Sequence, residues 1–411
     1  MTETIKKRLE VLRARAEDNA VNCIFPFWTS DYIRDPENGG YFGTVTLQME
    51  RVNDIDRSLV LYGRMVYAFS NAYRFFGGER YAECAKYTFD YLVDKFWDPE
   101  FGGAYASVKT DGTPASTDKS PYSEAFFVMA CAAYYHAFKD PQALELGMKT
   151  FHLIEGTKTA PGCYMSSAAR DWSEQVNQTG RMVFPKDATI FPHHLCQAYE
   201  QLYRATGDAE VLSAVRDLAA YMAGPVFDAE NRCFITFIGA DGKRISDHQG
   251  LGHDCELSYL AYDIAQLTGD PEIIAKMNAN CEAVVSRVLE IGYSKYGGLY
   301  NGYDIKTGKP TDAHVWWTEA ESVMSMLFGF QLTGDEKYLD ACEKQFDFID
   351  KYFINHEHGD WYSNIHVDDE GGHIVDGSHG FDKLNAGKCP FHNSHMCFDL
   401  IRRITEMLEE K

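Results

Sequence analysis

A short phrase that joins two helices recurs five times along the chain, and it constrains the fold more than any other feature. It reads FFGGERY near Gly77, AFKDPQAL near Lys139, and TGD followed by a helical stretch at Gly207, Gly269 and Gly334. Successive copies are 62, 68, 62 and 65 residues apart. Glycine followed by aspartate is typical of a helix end that leads directly into the N-cap of the next helix. The phrase therefore predicts a series of helical hairpins.

Stretches rich in glycine and aromatic residues alternate with this phrase. The clear copies span 35–43, 98–105, 295–304 and 358–364, and weaker ones span 162–167 and 231–237. Between the two kinds of phrase lie segments such as 58–76 and 319–332, in which apolar and small residues recur at helical spacing. Such segments are typical of buried helices. We expect the glycine–aromatic stretches to lie at the helix ends opposite the Gly-Asp links.

Six hairpins of about 65 residues fill the chain, without a Pro- or Ser-rich linker between them. We therefore predict an all-α fold, an (α/α)6 barrel of six helical hairpins, in one domain over residues 1–411. The glycine–aromatic loops would then surround a funnel at one end. An open solenoid is the alternative, but it needs polar capping repeats, and neither terminal unit differs enough from the others.

Charge and composition exclude several classes of partner. The chain has 39 Lys and Arg against 61 Asp and Glu, a formal charge of −22, which disfavours nucleic acid and anionic membrane surfaces. The first residues form a charged amphipathic pattern without the apolar core of a signal peptide, so we expect a cytoplasmic protein. Eleven cysteines, mostly within apolar helical patterns, predict reduced thiols rather than disulfides.

Histidines cluster in three segments: 191–195, 250–256 and 388–397. In the second segment His253 and Glu256 are three residues apart, so both lie on one face of a helix. A carboxylate in that place can set the imidazole tautomer and raise its basicity, as a general base requires. An ordinary buried His–Glu pair, or two ligands of a metal site, are alternatives. One such pair supplies too few ligands for a di-iron site of the helical-bundle type.

The third histidine segment contains four residue types that bind zinc: Cys389, His392, His395 and Cys397. His392 and His395 share a helical face, whereas Cys397 lies two residues further on and points away. A closed tetrahedral site would need a broken helix, so we predict no metal site here.

Two further features are typical of a sugar-binding site. Tyr122, Trp316, Trp317 and Trp361 offer flat apolar faces. Arg64 stands alone in an apolar helix, and a buried arginine must face a carboxylate or a bound oxyanion. A structural salt bridge from Arg64 to Glu321 or Glu124 is the plainer interpretation.

These segments, in this order, resemble the N-acylglucosamine 2-epimerase superfamily, and most closely its cellobiose 2-epimerases. The resemblance covers nearly the whole chain and is carried by residues 24–43, 193–203, 252–256, 315–321 and 387–393, together with the Arg64 helix. It implies the same barrel and a reaction that interconverts aldose epimers at C2, or aldose with ketose. It also implies that no redox cofactor and no metal is required.

The resemblance also implies roles for individual residues. His253 and His392 would be the two acid/base groups on opposite faces of C2, and His392 would also assist ring opening. His194 and Arg64 would stabilise the enediolate oxygens, and Glu256 would orient His253. The candidate sugar-binding residues are Tyr122, Trp316, Trp317 and Glu321. The expected substrate is a small-molecule sugar of the glucose or mannose type, free or at the reducing end of a β-linked disaccharide such as cellobiose.

Two departures from the family pattern bear on the substrate. Cellobiose 2-epimerases carry a tryptophan directly before Lys-Cys-Pro, where this chain has Gly387, and an asparagine where it has Ile190. Both changes remove sugar contacts, so a monosaccharide substrate is comparably well supported.

Three other functions remain as alternatives. An aldose–ketose isomerase of the mannose/fructose type uses the same chemistry. An inverting glycoside hydrolase needs two carboxylates, for which Asp187, Glu124 and Glu321 are candidates. A pure sugar-binding module would leave the histidines and the buried arginine without a role. Neither the natural sugar nor the oligomeric state follows from the sequence.

Overall fold

A computed structural model describes residues 1–174, 188–189, 193–239, 243–311, 313–367, 373–374 and 382–409. These residues form thirteen α-helices: α1 Glu3–Asp18, α2 Phe25–Trp28, α3 Leu59–Phe76, α4 Glu79–Tyr91, α5 Pro121–Phe138, α6 Pro141–Glu155, α7 His193–Thr206, α8 Ala209–Ala223, α9 Leu251–Thr268, α10 Pro271–Ile291, α11 Trp316–Thr333, α12 Glu336–Tyr352 and α13 Phe391–Glu409. Two π-helical turns, Asn19–Ile24 and Leu92–Phe96, and one 3₁₀ turn, Asp31–Ile33, complete the helical elements of the described chain.

Short antiparallel strands fill the loops at one end of the helices. In the described residues they are β1 Thr44–Val45, β2 Arg51–Val52, β3 Arg57–Ser58, β4 Ser107–Val108, β5 Pro114–Ser116, β6 Lys158–Ala160, β7 Cys163–Tyr164, β8 Ala188–Thr189, β9 Phe227–Asp228, β10 Cys233–Phe234, β11 Ile238–Gly239, β12 His248–Gly250, β13 Gly302–Asp304, β14 Lys309–Pro310, β15 His314–Val315, β16 Asn364–Val367 and β17 His373–Ile374. Three sheets have three strands, β3-β4-β5, β12-β13-β14 and β15-β16-β17, and four are pairs, β1-β2, β6-β7, β8-β11 and β9-β10.

Six helices form a closed inner ring. In the order α3, α5, α7, α9, α11, α13, each packs against the next, and α13 packs against α3. Helices α4, α6, α8, α10 and α12 each pack outside the inner helix that precedes them, and α1 packs outside α13. The predicted (α/α)6 barrel is confirmed and the open solenoid is wrong. Five of the six helix pairs are continuous hairpins, whereas the sixth joins the two ends of the described chain.

The recurrent phrase does form the links that the sequence predicts. The residue that ends each of α3, α5, α7, α9 and α11 has a left-handed or glycine-type backbone, with φ of 56° at Lys139, 64° at Gly269 and 72° at Gly334. An aspartate follows this residue in every link except the first. The aspartate that follows caps the next helix by accepting a hydrogen bond from a backbone N–H two residues further on, as Asp140 and Asp270 show. All these links lie at the C-terminal ends of the inner helices.

The glycine–aromatic loops lie at the opposite end, as predicted, because they lead into the inner helices. A carboxylate in the first turn of an inner helix anchors each of three such loops by accepting a backbone N–H that lies 20 residues earlier in the chain. The pairs are Glu124 with Ala104, Asp254 with Phe234, and Glu319 with Leu299. Strands β3, β12 and β15 run directly into α3, α9 and α11. The N-terminal turns of the inner helices are thereby held around one opening.

Most residues of the inner helices are buried, whereas the outer helices bury one face. The inner helices approach closely: a Cβ added to Gly63 would come within 2.7 Å of the Phe126 carbonyl oxygen. All eleven cysteines are free thiols, as expected. None of the helices in the described ranges is both long and apolar enough to cross a membrane.

Candidate active site

The opening at the N-terminal ends of the inner helices leads into a cavity of about 410 Å³. All six inner helices contribute to its lining through their first two turns. The lining from these helices consists of Arg64, Tyr122, His193, His194, His253, Glu256, Trp316, Trp317 and His392. The structure therefore brings together the residues of the sequence-predicted site, with two exceptions: Glu321 and Trp361 do not line this cavity.

Glu321 is a partner of His392 rather than a lining residue. Its Oε1 lies 2.7 Å from Nδ1 of His392, and Tyr259 donates its hydroxyl hydrogen to Oε2. Only 1% of Glu321 is exposed. Glu321 was predicted to contact sugar, but in the structure it bonds to a cavity residue and does not itself line the cavity. With Nδ1 held in this way, Nε2 is the nitrogen that His392 can present to a ligand.

Glu256 lies among imidazoles. One of its oxygens lies within 4.8 Å of a ring nitrogen of His193 and of one of His253, and Glu256 also belongs to a second group with Glu321 and His392. The predicted shared face of His253 and Glu256 is confirmed. Burial raises the pKa of Glu256 to about 8, although the Arg64 charge opposes this shift.

Burial also keeps the histidines of the cavity neutral. It lowers the pKa of His253 to about 4, with a smaller contribution from His248. Burial is likewise the main reason that the pKa values of His194 and His392 lie well below the usual range, and neighbouring imidazoles and Arg64 add to the effect. Each of these rings can therefore act as a proton acceptor or as a neutral N–H donor.

His194 is placed by aromatic packing. Its ring centroid lies 4.5 Å from that of Phe126 and 5.3 Å from that of Tyr122. Its Nδ1 is buried without a hydrogen-bond partner and lies 3.8 Å from Oε1 of Glu256. An unsatisfied polar atom at this depth is available to a ligand.

Arg64 has no carboxylate within salt-bridge distance among the described residues. Its guanidinium lies over the rings of Phe126 and Phe391, at 4.5 and 5.1 Å, and one nitrogen lies 3.9 Å from the Cys389 sulfur. The predicted alternative, a structural salt bridge to Glu321 or Glu124, is wrong. A buried guanidinium without an anion matches the other prediction, a site for a bound or developing oxyanion.

Two tryptophans from the start of α11 form one wall. The Trp317 ring centroid lies 5.0 Å from that of His253 and 5.5 Å from that of His392, so this ring contacts both imidazoles. Lys388 lies over Trp316 at 4.5 Å. Trp361 does not belong to the site, contrary to the prediction, because it is fully buried and donates its indole N–H to Asn19.

The four zinc-type residues of the third histidine segment, Cys389, His392, His395 and Cys397, do not converge on one point. Cys389 faces Arg64, His392 faces the cavity, and His395 lies one helical turn deeper. Among the described residues, their ligand atoms do not form a group close enough to hold one metal ion.

His193 is a cavity residue for which the sequence predicted no role. It extends the His253–Glu256 pair to three potential metal ligands. Its position next to His194 was the available signal.

Paired carboxylates for glycoside hydrolysis are not found in the described lining of the cavity, where Glu256 is the single acidic residue. Glu124 binds the Ala104 backbone instead. Asp187 and Ile190 lie outside the described residues.

Comparison with known proteins agrees with this geometry. The family model for N-acylglucosamine 2-epimerase (GlcNAc 2-epimerase) matches residues 40–381. The chain belongs to the N-acylglucosamine 2-epimerase family. It is 29% identical over 404 residues to the cellobiose 2-epimerase of Bacteroides fragilis, a match that covers 95% of this chain and 99% of that protein. The cellobiose 2-epimerase of Ruminococcus albus is 29% identical over 386 residues, covering 92% and 96%.

Solved structures support the same assignment. The cellobiose 2-epimerase of Bacillus thermoamylovorans superposes with a TM-score of 0.86 at 27% identity, and the match covers 96% of this chain and 100% of that one. This N-acylglucosamine 2-epimerase family member is therefore a carbohydrate epimerase, an isomerase.

Proposed function

We propose that this enzyme epimerises a reducing-end aldose of the glucose/mannose type at C2, through an enediolate formed by histidine-mediated proton abstraction. The observation that carries the proposal is the convergence of His194, His253, His392 and the Arg64 guanidinium on one cavity. The substrate is a free monosaccharide or the reducing end of a β-linked disaccharide such as cellobiose.

The proton transfers need two imidazoles. One ring nitrogen removes the C2 proton, the C2–H electron pair forms a C1–C2 double bond, and the carbonyl electrons move onto O1. The second imidazole takes up a proton from water and delivers it to the opposite face of C2 as the carbonyl re-forms. The first imidazole releases the abstracted proton to water, so that no net proton is gained or lost. His253 and His392, both in contact with Trp317, are the proposed pair. Because burial keeps both rings neutral, each can accept a proton near neutral pH.

The charge that develops on O1 and O2 needs donors that are already in place. Arg64 supplies a buried positive charge that forms no salt bridge among the described residues, and neutral His194 supplies an N–H donor near it. Donors of this type are worth most in a site that excludes water. Glu256 lies within reach of His253 and is proposed to orient it, while Tyr122, Trp316 and Trp317 form apolar faces for the sugar.

Two observations point to different substrate sizes. The relatives that match along their whole length are cellobiose 2-epimerases, which favours a disaccharide. Gly387, however, lies at the exposed rim of the cavity and offers no side chain for a second sugar ring. The reaction class is the same in either case.

Deuterium exchange tests the reaction directly. Glucose, mannose and cellobiose are incubated with enzyme in deuterated water, and NMR follows deuterium at C2. Epimers deuterated at C2 are the expected products, and enzyme treated with EDTA is expected to keep its rate. A ketose as the main product would instead support the aldose–ketose isomerase, and cleaved disaccharide without exchange would overturn the proposal.

His253→Ala and His392→Ala are each expected to lower kcat by at least about 10²-fold, because each removes one proton-transfer group. The measurement is the C2 exchange rate at saturating sugar. His248→Ala is the control, since this histidine is exposed on β12 outside the cavity lining. Near-wild-type turnover of either site variant would reject the assigned pair.

A further inference from the structure

A second layer of polar residues lies one helical turn below the site. Each member follows a site residue by three positions on the same inner helix and therefore shares its face. The pairs are His194 with Gln197, Glu256 with Tyr259, and His392 with His395. Gln197 and Tyr259 are each 1% exposed and His395 is 7% exposed.

Hydrogen bonds connect this layer to His392. Tyr259 bonds to Oε2 of Glu321, whose Oε1 bonds to Nδ1 of His392. On its other side the Tyr259 oxygen lies 3.4 Å from Nδ1 of His395. This series of hydrogen bonds ends at Gln197, whose amide nitrogen lies 3.4 Å from Nε2 of His395. Four helices, α7, α13, α9 and α11, contribute to it.

The donors and acceptors in this series of hydrogen bonds determine the direction in which each hydrogen is donated. An amide nitrogen only donates, so Nε2 of His395 accepts, and the single proton of a neutral His395 lies on Nδ1. That proton is donated to the Tyr259 oxygen, and the Tyr259 hydroxyl hydrogen is donated to Glu321. Burial and the nearby carboxyls of Glu256 and Asp399 raise the pKa of Glu321 well above its usual range, whereas the Tyr259 hydrogen bond and the Arg64 charge oppose that rise. The Tyr259 hydroxyl thus favours the ionised form of Glu321, which accepts on both oxygens and leaves the Nδ1 proton on His392 and a bare Nε2 on the cavity side.

The charges around His395 are consistent with a neutral ring. It lies beside a second cavity, of about 180 Å³, near the C-terminal ends of the inner helices. Burial is the main cause that lowers the pKa of His395 to about 4, and Arg402 and Arg403 lower it further, while Asp399 opposes them. The other charged or titratable groups that line this cavity are Tyr67 and Arg74 on α3, His136 on α5, Glu200 and Arg204 on α7, Tyr259 and Asp263 on α9, and Glu406 on α13.

We propose that Tyr259 and His395 are positioning residues for the epimerisation: by holding Glu321 as a two-sided acceptor, they keep His392 in the tautomer whose Nε2 accepts a proton from the sugar. This inference rests on the proposed function, because it assigns work to His392. Neither residue lines the sugar cavity, so both act through Glu321.

Tyr259→Phe removes one hydroxyl and keeps the ring. Without this donor Glu321 binds a proton more readily, and a protonated Glu321 would donate to Nδ1 of His392 and move the proton of the ring to Nε2. We expect kcat to fall about tenfold at pH 7 and KM to stay within about twofold. The acid limb of the pH profile of kcat should move up by about one pH unit, which is the usual effect of one hydrogen bond to a charged group. Loss of stability alone would not move the pH profile.

Tyr67→Phe is the matched control, because Tyr67 lines the same second cavity and its ring contacts His395 at 6.0 Å between centroids. It is expected to leave the pH profile unchanged. His395→Gln is the second variant and should shift the acid limb in the same direction, by less. The double variant should match Tyr259→Phe alone, since His395 acts through Tyr259.

Wild-type exchange at C2 is measured first, so that failure of the proposed function is seen separately. With that exchange established, a Tyr259→Phe profile that overlays the wild type, or a change confined to KM, overturns the inference. Should Tyr259→Phe not fold, the His395→Gln profile decides in the same way.

Discussion

Individual residues in this enzyme derive their chemistry from burial. An imidazole in water is half protonated near neutral pH, whereas His253, with a pKa lowered to about 4, is neutral there. The same burial raises the pKa of Glu256 to about 8. Burial thus favours the neutral form of both the imidazole and the carboxyl groups. The free-energy cost of placing them together in one buried cavity is lower as a result.

Arg64 is the exception, since it stays charged without a carboxylate partner. Arg64→Met should lower kcat by about 10²-fold, which is the effect of removing one oxyanion donor. The melting temperature should stay equal or rise, because the substitution breaks no ion pair among the described residues. Kinetics and thermal unfolding on the same preparation check this. Lys86→Met is the control, as it breaks an exposed ion pair with Asp90 on the outer helix α4 and should leave kcat unchanged. A lower melting temperature with unchanged kcat would show a structural role instead.

Gly387 offers a test of substrate size. A Cβ added there would meet only Asn385 Oδ1, at 3.5 Å, so a larger side chain fits. Gly387→Trp should lower KM for cellobiose by about two- to tenfold through stacking on the second ring, and leave KM for a monosaccharide unchanged. Steady-state kinetics with both sugars, and with Gly387→Ala as the control, measure the change. Equal effects on both sugars would contradict a role for this position in binding the second ring.

Several inner helices of the barrel share one contact: a carboxyl group in the first turn accepts a backbone N–H from the loop that precedes the helix. Glu124 is a clear case, since both of its oxygens accept the Ala104 N–H. Burial raises the pKa of Glu124 to about 8, although Lys119 and this N–H oppose the shift. From about pH 4.5 to 8 the folded state therefore holds a proton that the unfolded chain has lost.

The free energy of unfolding should accordingly fall as pH rises through this window, and Glu124→Gln should remove that contribution. Relative to wild type, the variant is expected to be more stable at pH 8 than at pH 5, by at least about 1 kcal/mol. Urea unfolding at the two values measures the difference. Glu145→Gln, in an exposed pair with Lys149, is expected to follow the wild type. Parallel pH curves for wild type and Glu124→Gln would contradict the argument.

In the whole molecule, the sixth pair of inner and outer helices joins the two ends of the described chain. Helix α1 packs on α13, which carries His392, and buries Ile5, Leu9, Leu12 and Ala16. Arg8 and Arg15 tie its outer face to carboxylates of α12. The N-terminal helix therefore supports a site residue that lies almost 400 positions away in the sequence.

Leu12→Ala should lower the free energy of unfolding by about 2–5 kcal/mol, because it leaves a cavity between α1 and its neighbours. Chemical denaturation measures the change. Val11→Ala is the control, since Val11 is 52% exposed and its loss should change the stability by less than about 0.5 kcal/mol. If both variants behave alike, α1 does not pack on the barrel as described.

Local patterns in the sequence were sufficient to predict the hairpins, the buried inner helices and the end of the barrel at which the loops lie. Each depends on neighbours in the chain: a Gly-Asp link, a helical period or an i, i+3 pair. The resemblance to known epimerases then pointed to Arg64, His194, His253 and His392. The cavity does bring these four together.

Other features depend on contacts between distant segments, which no local pattern reports. Glu321 contacts His392 because α11 and α13 are neighbours in the ring. Trp361 is buried where its loop packs against the turn that follows α1, in which Asn19 accepts the indole hydrogen bond. The spacing of residues along a helix determines which side chains share a face. Only closure of the ring decides which helix faces meet. It also decides which buried polar groups have no protein partner and can bind the sugar.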